Sequence, residues 1–245
     1  MSRTAEPARG FRRWFRLGGE NDPTPDHVGP KGMDRGRRIG ITLAAVLYRM
    51  RVHGMANVPA DGALLVVVNH QNFLDGALAF GELTRRSSFL IKAEAVKGPL
   101  GWLLTNVGQY ALVRGVPDRE PLMKALAQLK AGGVVGIFPE GTRGDGNVDT
   151  VFPGAGWLAA RSGAQVLPVA IRGTARPAGA RRRIKPRVDM LVGTPFSVPQ
   201  GAGRAAVAAA TEEVRVRLAG LVRTLDGQLA QHEGAAAPSG RKQER

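Results

Sequence analysis

Ala63-Leu64-Leu65-Val66-Val67-Val68-Asn69-His70-Gln71-Asn72-Phe73-Leu74-Asp75-Gly76-Ala77 decides how the chain is read. It opens with an unbroken apolar run, rich in β-branched valine, that is short enough to be a strand covered on both faces. Such a strand delivers His70 to its carboxyl end, where functional sites gather in open α/β sheets. A histidine at that point, with Asp75 close behind, has the parts of a general base and its orienting partner. The interval between them does not stack two side chains on an ideal helix, whose neighbouring intervals are three and four. A strand–loop–helix bend can still set Asp75 against one imidazole nitrogen, leaving the other to take a proton. A structural histidine beside a helix-capping aspartate has the same spacing, so the pair alone leaves both readings open.

Outward from this stretch the pattern alternates. Strands are expected over 63–69, 88–93, 109–113, 133–138, 165–171 and 187–192, with a more extended stretch starting at 51–54. Helices are expected over 39–50, 73–86, 99–106, 119–130, 154–161 and 203–229. In the last, Val207, Val214, Leu218, Leu221 and Leu225 recur at the spacing of one buried face. Short apolar runs alternating with helices imply an α/β fold: a single domain with a mixed, largely parallel sheet covered by helices. Residues 1–37 read as a flexible basic arm, 38–232 as the domain with a membrane-proximal helix at its start, and 233–245 as a disordered tail. No internal repeat is present.

A second stretch, Phe138-Pro139-Glu140-Gly141-Thr142-Arg143, follows another buried run. Gly141 supplies backbone freedom for a tight turn. Arg143 can grip a phosphate bidentately, as lysine cannot. Glu140 can accept a hydrogen bond from a substrate hydroxyl or hold Arg143, and a local ion pair in a loop would look alike.

Composition narrows the partners. With 245 residues and 43% hydrophobic content, the chain can bury a full core. No apolar run approaches the roughly 20 residues of a spanning helix; the stretch from Ile39 to Leu47, interrupted by Gly40 and Thr42, reads as interfacial or packed. There is no cysteine, hence no disulfide framework, thiolate zinc site or cysteine nucleophile. No metal cluster or Gly-x-Ser-x-Gly elbow is evident, and the glycines of 141–146 stand in the wrong order for a dinucleotide or nucleotide loop. The N-terminus lacks the pattern of a secretory signal, which makes a cytoplasmic location the expectation.

The formal net charge of +15 suits nucleic acid, anionic lipid or an anionic substrate. Phe11-Arg12-Arg13-Trp14-Phe15-Arg16-Leu17 interleaves aromatics with arginines, a composition fitted to a lipid headgroup region as well as to a basic tail. The cluster around Arg181-Arg182-Arg183 lacks aromatics and reads as a solvated loop. Trp102, with Leu100, Leu103 and Leu104, suits core packing better than an acyl pocket or a lipid contact.

The ordered set of blocks resembles the glycerolipid acyltransferases, the family that includes 1-acylglycerol-3-phosphate acyltransferase. Asn69-His70 through Asp75 matches the family's catalytic block. Gly108-Gln109-Tyr110-Ala111-Leu112-Val113-Arg114 is similar to its second, whose arginine is implicated in acceptor binding. Phe138 to Arg143 matches its third, and Leu167-Pro168-Val169-Ala170-Ile171 its fourth. Lys92 and Glu94 fall in a segment similar to the one between the first two blocks. The resemblance covers roughly residues 52–195. The chain departs from it at Gly144, where many members carry serine, and at Tyr110-Ala111, where a bulkier aliphatic pattern is frequent.

The resemblance implies that His70 deprotonates an acceptor hydroxyl, which attacks the thioester of acyl-CoA or acyl carrier protein directly. Asp75 would orient His70, while Glu140, Gly141, Thr142, Arg143, Arg114 and Lys92 would bind substrate. It implies a lysophospholipid acceptor, foremost 1-acylglycerol-3-phosphate, no cofactor beyond the acyl donor, and a peripheral place on the cytoplasmic face of the cell membrane. Two alternatives remain: the same chemistry on another hydroxylated lipid or glycolipid, and a non-catalytic basic protein that binds anionic membrane or nucleic acid. The blocks argue against the last, since charge alone requires neither of them.

Overall fold

The structure is a computed structural model that describes residues 22–25, 28–95, 98–112, 119–175, 179 and 184–236. Its centre is β2 (Leu64–Val68), in which every residue is buried. Alternate side chains serve opposite faces. Leu65 and Val67 join a core with the helices α4 (Glu120–Lys130), α5 (Pro153–Ser162) and α6 (Arg204–Ala236). Leu64, Val66 and Val68 face α1 (Pro30–Leu47) and α2 (Asp75–Glu82). An apolar run without polar alternation is what a strand covered on both sides requires.

The remaining strands are β1 (Arg49–His53), β3 (Ser87–Lys92), β4 (Tyr110–Leu112), β5 (Val134–Ile137), β6 (Gln165–Arg172) and β7 (Arg187–Val192); α3 (Gly98–Asn106) lies between β3 and β4. Their order is β1-β7-β6-β2-β5-β3-β4 in one seven-stranded sheet. Five strands from β6 to β4 run parallel. β7 pairs antiparallel to β6 and parallel to β1, so two strands run against the other five. The mixed, largely parallel sheet matches the sequence reading. Pro168 stands inside β6 because its carbonyl, and with it the edge that lacks an N–H, faces the end of β7, where Gly193 donates to it at 2.9 Å.

Two boundaries differ from the sequence reading. α1 begins at Pro30, inside the stretch expected to be a flexible arm. Its glycines look like helix breakers but are sites of close approach: a Cβ on Gly36 would lie 2.5 Å from Val107, and one on Gly40 would lie 2.8 Å from the Ala77 carbonyl of α2. Proline at the first helical turn is compatible with this start. α6 runs to Ala236 and so takes in residues 233–236, the first four of the expected disordered tail. Phe11–Leu17 and Arg181–Arg183 lie outside the described residues, as does Arg114.

α1 inverts the usual helix pattern. Its buried face is Met33, Gly36, Arg37, Gly40 and Ala44, whereas Ile39, Leu43, Val46 and Leu47 are exposed. Trp102 on α3 is 69% exposed, against the expectation of core packing, and Leu100 is exposed beside it. Among the described residues no helix is long and apolar enough to cross a membrane.

Candidate active site

β2 and β5 are adjacent and parallel, so the loops that follow them emerge side by side. The first carries His70 and the second carries Phe138 to Arg143. Asp75 opens α2, where a carboxylate also suits the helix N-terminus. The bend predicted from sequence is present: His70 Nδ1 lies 3.3 Å from Asp75 Oδ2, at the long end of hydrogen-bonding distance. The same oxygen accepts the main-chain N–H groups of Gln71 and Asn72, each at 2.7 Å. Asp75 thus shapes the loop and meets the ring with one atom. When Nδ1–H donates to Asp75, Nε2 is left with its lone pair. Asp75 is 1% exposed, and its other oxygen has no protein partner. Burial, and then the nearby Asp75 carboxylate, push the Tyr48 phenol above its ordinary range.

The second loop holds His70 at three points. Its main-chain N–H donates to Glu140 Oε1 at 2.8 Å, and its carbonyl accepts from Gly144 N–H at 3.0 Å. Its ring stacks on Phe138, with centroids 4.2 Å apart. Phe138 in turn leans on Phe89, at 5.9 Å. Gly136 makes room for that ring, since a Cβ there would lie 2.4 Å from Phe89. Glu140 therefore has a different neighbour from the two weighed in the sequence: it grips the backbone of the histidine, and its side chain does not line the substrate-sized cavity beside it. Burial raises the Glu140 carboxyl above its ordinary range, and the hydrogen bond from His70 opposes this in part.

That cavity has a volume of about 860 Å³ and a mostly apolar wall. His70 reaches it beside Phe138, Gly141 and Arg143, while Lys92 and Glu94 lie on the β3 side. Leu100, Leu103 and Leu104 of α3 continue the wall, and Ile39 and Leu43 of α1 complete it. Gly141 takes φ 65, the left-handed conformation that glycine adopts without strain. Thr142 is exposed and, unlike its two neighbours, does not line the cavity. Arg143 is exposed there as a cation of fixed charge. Among the described residues no group of three or more His, Cys, Asp or Glu side chains could hold a metal ion.

Sequence reasoning missed several contributors. Asn69 is fully buried, with its side chain bonded to both main-chain groups of Ile171 and to the Gly146 carbonyl. Arg172 and Asp226 enter through the same loop, as described below. A polar residue directly after a buried apolar run, as Asn69 follows Val68 and Arg172 follows Ile171, is the signal that would have found them.

A family model described as acyltransferase matches residues 49–172, about half of the chain. The chain is 33% identical over 134 residues to the chloroplastic 1-acyl-sn-glycerol-3-phosphate acyltransferase LPAT1 of Arabidopsis thaliana, covering 53% of this chain and 37% of that protein. It is 26% identical over 182 residues to the 1-acyl-sn-glycerol-3-phosphate acyltransferase of Bacillus subtilis, covering 72% of this chain and 90% of that one. The chain spans 37% to 45% of the length of the plant and algal relatives it matches. Among solved structures it resembles the 1-acyl-sn-glycerophosphate acyltransferase PlsC of Thermotoga maritima, with a TM-score of 0.57, 25% identity, and 77% and 78% of the two chains covered. With the matched residues running from β1 to the end of β6 and taking in both loops of the site, the chain belongs to the glycerolipid acyltransferase family.

Proposed function

We propose that the protein transfers a fatty acyl group from an acyl thioester to the hydroxyl of a lysophospholipid, foremost 1-acylglycerol-3-phosphate, at a membrane surface. The observation that carries this reading is the placement of His70, backed by Asp75, on an apolar cavity that also meets the cations Lys92 and Arg143.

The chemistry follows from those groups. His70 Nε2 takes the proton of the acceptor hydroxyl as its oxygen attacks the thioester carbonyl. The tetrahedral intermediate expels the thiolate of acyl-CoA or acyl carrier protein, and the imidazolium returns the proton to that sulfur. Asp75 stabilises the transient imidazolium and fixes the ring. Glu140, Gly144 and Phe138 remove the loop's freedom to turn the ring away. Arg143 and Lys92 supply positive charge for the acceptor phosphate, a role also assigned to Arg114. Holding both reactants in attack geometry can contribute about 7–11 kcal/mol in favourable cases. No cofactor other than the donor is invoked.

Membrane association is supported by the inverted face of α1. Ile39, Leu43, Phe73, Leu100 and Phe152 are exposed and also line the cavity, so an apolar rim surrounds its mouth. A contiguous exposed apolar patch of this kind marks an interaction site. Pressed against the cytoplasmic leaflet, it would let a lipid acceptor reach His70 without crossing water, with the basic N-terminal residues adding electrostatic attraction.

The test is acyl transfer from a long-chain acyl-CoA to lysophosphatidic acid, wild type beside His70→Ala, with vesicles present. Transfer by the wild type alone is expected. Substantial transfer by the variant would remove His70 from the mechanism, and a wild type active only on a different hydroxylated lipid would reassign the acceptor.

A further inference from the structure

The family match ends at Arg172, the last residue of β6, yet the hydrogen bonds that fix the active-site loop continue beyond it. Arg172 is 9% exposed, and its guanidinium makes five hydrogen bonds. Nη1 donates to the carbonyls of Asp145 at 2.9 Å and Gly146 at 3.1 Å, and Nη2 to Asn147 Oδ1 at 2.8 Å. Nε and Nη2 also donate to the two carboxylate oxygens of Asp226 on α6, at 2.7 and 2.9 Å. A guanidinium carries five N–H donors in a rigid fork, and the fork here spans three consecutive loop residues and a distant helix.

The pinned segment is the continuation of the loop that holds His70. Gly144 N–H supports the His70 carbonyl one residue before Asp145, and the Gly146 carbonyl also accepts from Asn69, the residue before His70. Gly146 itself stands at φ 71, where a Cβ would meet Gln71 at 2.6 Å and Asn69 at 2.8 Å. Beyond it Val148, a β-branched residue, is held at φ 63. Backbone of that kind persists only where its surroundings over-determine it. Arg172, oriented by Asp226, is the charged group positioned to do so.

We infer that Asp226 of the C-terminal helix is a positioning residue for acyl transfer, acting through Arg172 and the 144–148 loop on the placement of His70. The inference rests on the proposed chemistry of His70. It assigns α6, outside the matched family region, a part in turnover besides covering the sheet.

The experiment compares Asp226→Ala, Asp226→Asn and Glu213→Ala in the full chain, measuring kcat, KM for lysophosphatidic acid and amide hydrogen exchange over residues 141–148. Glu213 lies on the same helix and pairs with Arg217, away from the loop, so its variant controls for helix damage. Asp226→Ala is expected to lower kcat about tenfold with KM within about twofold of wild type, since small misplacements near reacting groups act on turnover. Exchange over 141–148 should accelerate, Asp226→Asn should fall between, and Glu213→Ala should match wild type. Arg172→Lys combined with Asp226→Ala should cost less than the two single losses multiplied, because the pair acts as one unit. Unchanged kcat with unchanged exchange in Asp226→Ala overturns the inference, as does an equal loss in Glu213→Ala. A wild type without acyl transfer would count against the proposed function instead, and loop exchange would still decide whether Asp226 governs the loop.

Discussion

The two faces of the sheet are built to opposite ends. Against α4, α5 and α6 the space is filled: Leu158, Leu218 and Val214 are fully buried, and Leu129 closes the same core. Against α1, α2 and α3 packing is mixed: Met33, Leu78 and Leu83 are fully buried, but Gly36 and Gly40 make the close approaches of α1, and Ile39, Leu43, Leu100 and Leu103 line the cavity. Interiors are dense enough that a void of this size must be supported by neighbours that do not collapse. The filled face gives the sheet its rigidity, and the open face uses it to keep room beside His70.

Substitutions can break that contrast, beginning with the proposed catalytic pair. His70→Ala and Asp75→Asn should each reduce kcat by roughly 10²–10⁴-fold, the span of general acid–base contributions, while circular dichroism and melting stay near wild type. A fold that fails in His70→Ala would instead make the histidine structural. On the filled face Leu158→Ala should cost about 2–5 kcal/mol in denaturant unfolding, with kcat per folded molecule retained. Gly136→Ala acts on the open face: its Cβ presses on Phe89, which leans on Phe138 and so on the His70 ring. Overpacking should cost about 1–3 kcal/mol, and turnover should fall with it. Stability lost without any change in kcat would show that the ring stack does not transmit.

Glu140→Gln sharpens the contrast through pH. Burial raises the wild-type carboxyl above 4.5, so the folded state binds more protons than the unfolded state between 4.5 and the raised value. Wild-type stability should therefore fall as pH rises through that window. Glutamine can still accept from the His70 N–H but does not titrate, so its stability curve should be flatter there. Identical curves would place the Glu140 charge in a better solvated site. The smallest effect is expected for Leu100→Ser on the rim, whose unfolding free energy should change by under about 1 kcal/mol. Its binding to anionic vesicles should nonetheless weaken, and unchanged binding would remove Leu100 from the proposed membrane contact.

Legibility followed the same division. Apolar runs announced β2, β5 and β6, and the spacing of Val214, Leu218 and Leu225 announced α6, because filled cores write their period into the sequence. The open face does not. Gly36 read as part of a flexible arm and Gly40 as an interruption of an apolar run until α2 is seen against them, and Trp102 read as core because large aromatics usually are. At the site, residue type located His70 and Asp75, since one local bend joins them. The partner of Glu140 was hidden because a main-chain N–H has no sequence signature, and Asp226 because 54 residues separate it from Arg172.

The position of β1 has a consequence for synthesis. Its sheet partner is β7, whose Arg187–Val192 pair with Arg49–His53. At a ribosomal rate of about 5–20 residues per second, β1 leaves the exit tunnel roughly ten seconds before its partner exists. Until then α1 carries its exposed Ile39, Leu43 and Val46 on a segment not yet anchored to the sheet. The nascent chain thus presents the apolar face of α1 well before the domain can close, and a bilayer or a chaperone can meet it first.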